Sequence, residues 1–463
     1  MPGKRLRWFL LGIPALLGSG CTAYHPAPLT AERVAAALRP RSRAEVRVEA
    51  ARLHHPILAP VTFSARDHGL SPEQAAVFAV IANPTLRSVR DARGLAAAQT
   101  IQAGVVPNPQ ISPSLDLPLG NSVPGVRTAY GLNLNWEVTA LFARGAKLEA
   151  AHAHAASVDL SVAWQEWQVA EAAKLAVYQL DSLHRQTLIA RENERDFRQS
   201  ADLLQQAVAR HDKTETDRAP AEAAAEQAKS DRLTLEQAET DARLALNHTL
   251  GLPPDAAVRL RANLRLPGMD AANRFTVGAL SADFEGRRLD LVALRLGYDS
   301  EEATLRAAVR GQFPRITLGL TRASDNSALK SIGPNAVFDL PFFDRNQGNV
   351  ANEKATRQQL FDEYAGRVYD ARHDIAKAAA DLRYTLGREQ AARAALPALE
   401  QLSASYQTAL AAGSVDSLVA AGARQSLGAK RLEAERLRGE AAALVVALEL
   451  ASGQPALTAG TIR

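Results

Sequence analysis

The sequence predicts a mostly α-helical protein with a small β part, arranged as two structural repeats. Each repeat reads as helix, β-hairpin and long helical hairpin. Three observations predict this. Landmarks recur after about two hundred residues: Pro109-Gln-Ile111 returns as Pro314-Arg-Ile316, and Leu250-Gly251 as Ser452-Gly453. Short runs such as Leu132-Asn-Leu-Asn-Trp136 alternate apolar and polar residues, as a strand with two unlike faces must. Between them lie Ala-, Leu-, Arg- and Glu-rich stretches too long for any compact domain.

Composition narrows the function. Hydrophobic residues make up 47% of the 463, which excludes wholesale disorder. The single cysteine, Cys21, excludes a disulfide framework. Basic and acidic residues, 54 against 50, are interleaved, so no basic stripe for nucleic acid is present. Past the N-terminus no apolar run is long enough for a membrane-spanning helix.

Residues 1–20 read as a signal peptide, with Lys4, Arg5 and Arg7 ahead of the apolar run Trp8 to Leu17. Leu17-Gly-Ser-Gly-Cys21 is similar to a bacterial lipobox, in which Cys21 would be acylated, palmitate included. An ordinary signal peptide with an incidental cysteine is the alternative. Thr22, rather than Asp, follows Cys21, which by the same resemblance favours outer-membrane sorting. A single lipid group anchors only modestly.

An N-terminal extension occupies 21–70. The first repeat, 71–252, holds a helical run over 72–104, a hairpin over 110–138 and helices over 143–210 and 216–250. A connecting segment, 253–286, leads to the second repeat, 287–453. That repeat has a helix over 287–310, a hairpin over 315–340 and helices over 345–411 and 415–451, and a tail, 454–463, ends the chain. At about 1.5 Å per residue the long helices run about 100 Å. The two shorter helices of each repeat sum to nearly the same length, so stacked end to end they fit beside the long one. Leu432, Leu437, Leu444 and Leu448 recur at near-heptad spacing, as coiled-coil packing requires.

Four short strands cannot close a membrane sheet alone. Exposed backbone groups are costly in lipid, and closed bacterial barrels need at least about eight strands. The chain must therefore oligomerise to close an outer-membrane β-barrel; a homotrimer would give twelve strands, with the helices continuing the wall as an α-helical barrel in the periplasm. Tyr130, Trp136, Phe313, Phe338, Phe342 and Phe343 lie at or beside strand ends. They fit either an interfacial aromatic belt or ordinary packing under a soluble hairpin.

Catalytic and metal-binding signals are missing. No P-loop, HExxH or CxxC occurs, and no cofactor or enzymatic role is expected. His152 and His154, two apart on a helix, cannot share a metal, and one is expected to be solvated and the other packed. His54-His55 is expected at the surface. Asp212, Glu215 and Asp217 at the first helical turn, with Gly413 and Asp416 at the second, are candidate gate or adaptor contacts. Three copies would turn each carboxylate into a charged ring. Asp344 is expected to cap a helix that begins near Arg345.

Asp339-Leu-Pro-Phe-Phe-Asp-Arg-Asn-Gln-Gly348 resembles a signature of the TolC-like outer-membrane efflux proteins, in the branch with lipoprotein and heavy-metal channels. Asn83-Pro-Thr-Leu86 and Ala412-Gly-Ser-Val-Asp-Ser-Leu418 resemble further motifs of that family. The resemblance spans about residues 70–453. It implies a trimeric passive export conduit of a tripartite efflux system for small molecules or metal ions. It also implies a periplasmic adaptor (membrane fusion) protein and an inner-membrane pump of the resistance-nodulation-division type as partners. Pro341, Phe343, Asp344 and Arg345 form the strand-to-helix switch of that motif. Arg210-His-Asp-Lys-Thr-Glu215 departs from the glycine-containing turn typical of the family. The competing expectation is a lipid-anchored periplasmic coiled-coil scaffold or adaptor, although a lipoyl-like domain is not visible.

Overall fold

The computed structural model describes residues 22–64, 69–119, 125–262, 264 and 276–455. Cys21, the signal segment and most of the tail lie outside them. The chain divides into two units at Pro40. The first contains α1 (Ala31–Ala37), whose N-terminus is capped by the Thr30 hydroxyl. All other elements belong to the second.

In the second unit, α2 (Arg43–Ala50) opens on a Ser42/Glu45 capping box. An extended strap, 51–64, then leads to α3 (Pro72–Ala82), which also opens on a capping box, Ser71/Gln74, and is buried almost throughout. The single helix expected over 72–104 is instead two. Pro84 pushes Asn83 into extended backbone (ψ 120°), and α4 (Thr85–Gly104) starts afresh. Asn83 uses the break: its side chain accepts the Thr85 N–H at 2.9 Å and donates to the Thr249 carbonyl at 2.9 Å.

β1 (Gln110–Asp116) and β2 (Ala129–Glu137) make the first hairpin. Helix α5 (Ala140–Ala209) then runs for 70 residues and α6 (Glu215–Thr249) returns for 35. Two short helices, α7 (Val277–Ser281) and α8 (Phe284–Arg287), precede α9 (Leu289–Arg310). β3 (Arg315–Ser324) and β4 (Lys330–Asp339) form the second hairpin. All ten residues of β4, Lys330 to Asp339, pair with β3. Helices α10 (Gln347–Ala411) and α11 (Ser417–Ser452) complete the repeat. The long α5 packs along α3, α4 and α6 of its own repeat and along α9 and α11 of the other. The end-to-end arrangement of short helices beside a long one is therefore present.

The apolar core sits midway along α5. Trp167, Val177 and Ala173 are buried against α3 and the ends of α6 and α11, and Leu437 and Leu448 are fully buried on α11. Small alanines let the helices approach closely. Within this core Lys174 places its Nζ 2.7 Å from Glu171 and 2.8 Å from Glu449, and 5.1 Å from the Trp167 ring centre. All three ionisable side chains are at most 5% exposed. Two carboxylates share one ammonium. Burial pushes Glu171 up to about 8 against the pull of Lys174. Lys174 stays charged: burial disfavours its ammonium, but Glu171 and Glu449 outweigh that and raise it.

The strap is fastened by His55, whose side chain is 2% exposed although the sequence placed it at the surface. His54 is exposed. The His55 Nε2–H donates to the Ala163 carbonyl at 3.0 Å, while Nδ1 accepts the N–H groups of Ile57 and Leu58 at 3.2 and 3.1 Å. That pattern requires the neutral ring. Burial lowers its pKa; Glu166, 3.7 Å away, opposes the shift, and Arg93 and Arg90 reinforce it.

A carboxyl whose folded pKa is raised stabilises below its unfolded value and loses that contribution as pH climbs through the folded one. Thermal melts should therefore weaken from about pH 5 to about pH 8, and Glu171→Gln should flatten that decline. Lys174→Met, which strands two buried carboxylates, should cost about 3–5 kcal/mol. A base whose pKa is depressed gives the opposite sign. The strap should loosen as pH falls below the ordinary histidine value, measured as faster proteolysis within 51–64, and His55→Ala should show that loosening at neutral pH.

Candidate functional site

The four strands form one antiparallel sheet in the order β1-β2-β3-β4. Its register sorts the side chains onto two unlike faces. One carries Ile111, Leu115, Leu132, Leu134, Leu318 and Ile332, continued by Tyr130, Leu320 and Phe338. The other carries Ser112, Asn133, Asn135, Thr321 and Asn335. The apolar face is the open one: Ile111 is 67% exposed and Ile332 70%. A soluble hairpin does the reverse, burying its apolar face.

The polar face is internally bonded. Thr321 donates to Asn133 at 2.6 Å, and Asn335 donates to Asn135 at 3.1 Å. The Asn135–Asn335 contact passes over Gly319, where an added Cβ would lie 2.2 Å from one amide oxygen and 2.3 Å from the other. Only glycine leaves room for it. Of the aromatics expected at strand ends, Phe313, Phe342 and Phe343 are 69%, 71% and 96% exposed. Trp136 is half-buried and donates its Nε1–H to Pro107 at 2.8 Å.

Between β4 and α10 the chain makes a tight passage through Pro341, Phe343, Asp344 and Arg345. Helix α10 begins at Gln347, two residues later than expected, and Asp344 does not cap it. Asn346 stands at the N-cap in left-handed backbone (φ 59°). The Asp344 carboxylate accepts the Asn346 N–H at 2.8 Å. The Asn346 side chain donates to the Ala308 carbonyl at 2.8 Å, closing the end of α9. Asn346 thus joins one hairpin's exit to the other helix's terminus. It lies inside the Asp339–Gly348 motif, where asparagine's tolerance of left-handed backbone was the available signal.

At the opposite end of the long helices lie the two turns. Helix α10 ends in a Schellman turn: Gly413 at φ 69°, with Gly413 N–H on Leu410 and Ser414 N–H on Ala409 at 3.0 and 2.9 Å. Helix α5 ends in the same hydrogen-bond pattern, but His211 occupies the left-handed position (φ 62°), with Asp212 N–H on Ala207 at 2.9 Å. The first turn therefore keeps the geometry of the second without its glycine.

The turn carboxylates each have a local partner. Asp212 lies 3.8 Å from Arg210, and Glu215 lies 2.7 Å from Arg218. Asp416 lies 2.8 Å from Lys213, which ties the second turn to the first. Asp217 completes a capping box with Thr214, whose backbone and hydroxyl donors lower its pKa. Lys213 was not singled out from sequence, because a partner 203 residues away has no spacing signature; Arg218, three residues after Glu215 on one helix, carried an i,i+3 signal that went unused.

His152 and His154 are both exposed, which corrects the expectation that one is packed. Among the described residues no group of three metal-ligating side chains is close enough to hold an ion, and no helix is long and apolar enough to cross a membrane.

Residues 280–454, a span that contains the whole second repeat, match the family model described as outer membrane efflux protein. Over those residues the chain is similar to that family. It is also similar in fold to solved outer-membrane proteins. Against VceC from Vibrio cholerae the identity is 17% and the TM-score 0.68, covering 83% of this chain and 96% of that one. For the CmeC outer membrane channel of Campylobacter jejuni the values are 14% and 0.70, with 85% and 90% covered. For the open-state MtrE outer membrane channel of Neisseria gonorrhoeae they are 17% and 0.65, with 87% and 97% covered. At such identities the likeness is one of fold. No curated protein matches the chain in sequence.

Over 210–218 and 412–416, four carboxylates stand against three cations. The triple variant Asp212→Asn, Glu215→Gln, Asp416→Asn leaves the cations in excess. Reversal potentials in planar bilayers should shift from cation preference toward anion preference, and an unchanged potential would remove these turns from the permeation path.

Proposed function

We propose that this protein is the outer-membrane channel component of a tripartite efflux system, a passive conduit assembled from three copies. The carrying observation is the inverted sheet: apolar side chains face outward, amides and hydroxyls face inward, and the backbone is open at both edges. A lipid-facing, lumen-facing alternation has this form. Three copies supply twelve strands, enough to leave a lumen. The four long helices then continue the wall as a periplasmic tube of about 100 Å. The outer membrane channels similar to it in fold support this reading.

In this reading Cys21 carries lipid that assists sorting, and the barrel supplies the membrane attachment. The turns at Asp212, Glu215, Gly413 and Asp416 meet a periplasmic adaptor, and an inner-membrane pump of the resistance-nodulation-division type supplies energy. The passage at Pro341, Phe343, Asp344 and Arg345 redirects the wall from strand to helix at the inner rim. Cargo is a small molecule or metal ion chosen by the pump.

Membrane extraction and conductance test the proposal together. The wild-type protein should resist carbonate, require detergent and form stepwise conducting pores in planar bilayers. Cys21→Ala should remain membrane-integrated. Release of that variant into the soluble fraction, with no conductance from the wild type, would instead establish a lipid-anchored scaffold.

A further inference from the structure

The two free edges of the sheet, β1 and β4, carry enough information to fix how one copy joins the next. We propose that Ser114 of one copy lies directly opposite Asp339 of its neighbour, with Leu115 opposite Phe338 and Asp116 opposite Val337. The inference rests on the trimeric conduit above and assigns its seam, which nothing within one chain displays.

The first argument is the repeat. Pro109-Gln-Ile111 and Pro314-Arg-Ile316 place β1 residues 205 before their β3 equivalents. Pro113 therefore corresponds to Leu318. Pro113 pairs with Leu132, and Leu318 pairs with Ala336, so β2 residues lie 204 before their β4 equivalents. The β2–β3 junction joins two hairpins inside the chain, with Asn135 opposite Gly319 and Leu134 opposite Leu320. A ring closed from equivalent hairpins repeats that junction between copies. Carried forward by these offsets, Asn135 opposite Gly319 becomes Asp339 opposite Ser114, and Leu134 opposite Leu320 becomes Phe338 opposite Leu115. Polar faces polar and apolar faces apolar, as a continuous wall demands.

The second argument comes from two prolines and is independent of the repeat. The Val138 N–H bonds the Ile316 carbonyl at 3.0 Å, so even-numbered β3 residues direct their backbone groups at β2 and odd-numbered ones at β4. Following the alternation outward, Pro113 on β1 and Pro334 on β4 both turn their nitrogens to the free edges. Neither can donate across a seam. In the proposed register Pro113 faces Leu340 and Pro334 faces Leu119, each just beyond the end of the opposing strand. Sliding two residues toward greater overlap puts Pro113 opposite Phe338, inside the ladder. Sliding two residues the other way leaves only Asp116 and Asp339 to pair. The proposed register is the longest overlap in which both prolines clear the opposing strand. Leu115 and Phe338 then exchange both backbone hydrogen bonds. Ser114 and Asp339 form a non-hydrogen-bonded pair, whose Cα separation of about 4.5 Å suits a disulfide.

Full-length protein carrying Ser114→Cys with Asp339→Cys, in isolated outer membranes, should oxidise to a covalent trimer on non-reducing denaturing gels and revert with reductant. Asp116→Cys with Val337→Cys tests the same register independently, should the first pair impair assembly. Yields should exceed by at least about tenfold those of two shifted controls, Ser112→Cys with Asp339→Cys and Asp116→Cys with Asp339→Cys, since disulfide geometry rejects a two-residue offset. Greater yield from a shifted pair overturns the register and leaves the trimeric conduit standing. So does a trimer, shown by chemical cross-linking in detergent, that none of the pairs locks. A detergent-solubilised monomer with every pair unlinked overturns the conduit and the seam together.

Discussion

The structure depends on one constraint: backbone hydrogen-bonding groups at a sheet edge must find partners when no water is present to supply them. A four-stranded sheet with its apolar face outward cannot meet this condition by itself. In the assembly proposed above, the rest of the chain serves the geometry that lets identical copies meet it. The long helices hold the two hairpins side by side, so that β2 and β3 pair within one chain. Asn346 fixes the exit of the second hairpin to the end of α9. Gly319 gives up its side chain so that Asn135 and Asn335 can touch across it. The edge prolines keep β1 and β4 from offering a full ladder to the wrong neighbour, a common way of blunting exposed strands.

Much of this was legible in the sequence because it is periodic. The two-residue alternation of Leu132 to Trp136, the length of the helices and the repeated landmarks all express spacing, and spacing survives in one dimension. The leucines of α11 were readable for the same reason. Features that depend on three dimensions were not. The pairing of Lys174 with Glu449 joins residues 275 apart, and the burial of His55 depends on a carbonyl 108 residues away. The break at Asn83-Pro84 carried a local signal, a residue forced out of helix before proline, but the alanine-rich flanks favoured continuity. Asp344 was expected at a helix cap from residue type alone; the turn chemistry of Asn346 displaced it.

The buried Glu171–Lys174–Glu449 cluster contrasts with the rest of the molecule. Most ion pairs here are exposed and contribute little. This one sits where the first repeat's α5 meets the second repeat's α11, in a core of alanines and leucines. An apolar trio would pack there at lower desolvation cost. What the charged trio adds is directionality: a lysine held between two carboxylates fixes the axial position of α11 against α5 to within a hydrogen bond's tolerance. Smooth alanine seams cannot do so, since sliding by one residue costs them little contact. An axial slip over about 100 Å of helix would carry directly into the offset between the hairpins.

The two helical turns show how a repeat diverges under such a constraint. Both keep the Schellman hydrogen bonds, since a helical hairpin of fixed height needs its reversal at a fixed position. Gly413 adopts the left-handed conformation freely, whereas His211 does so against a steric penalty of roughly 1–2 kcal/mol. The penalty is tolerable because the turn is held from three sides: the Thr214/Asp217 capping box, the Asp212 N–H on Ala207, and Lys213 on Asp416. Strain at one turn with none at its equivalent makes the first turn the easier of the two to rearrange. In the conduit proposed above, the charged and unequally strained turns are where opening and ion preference can be set with the least disturbance to the sheet.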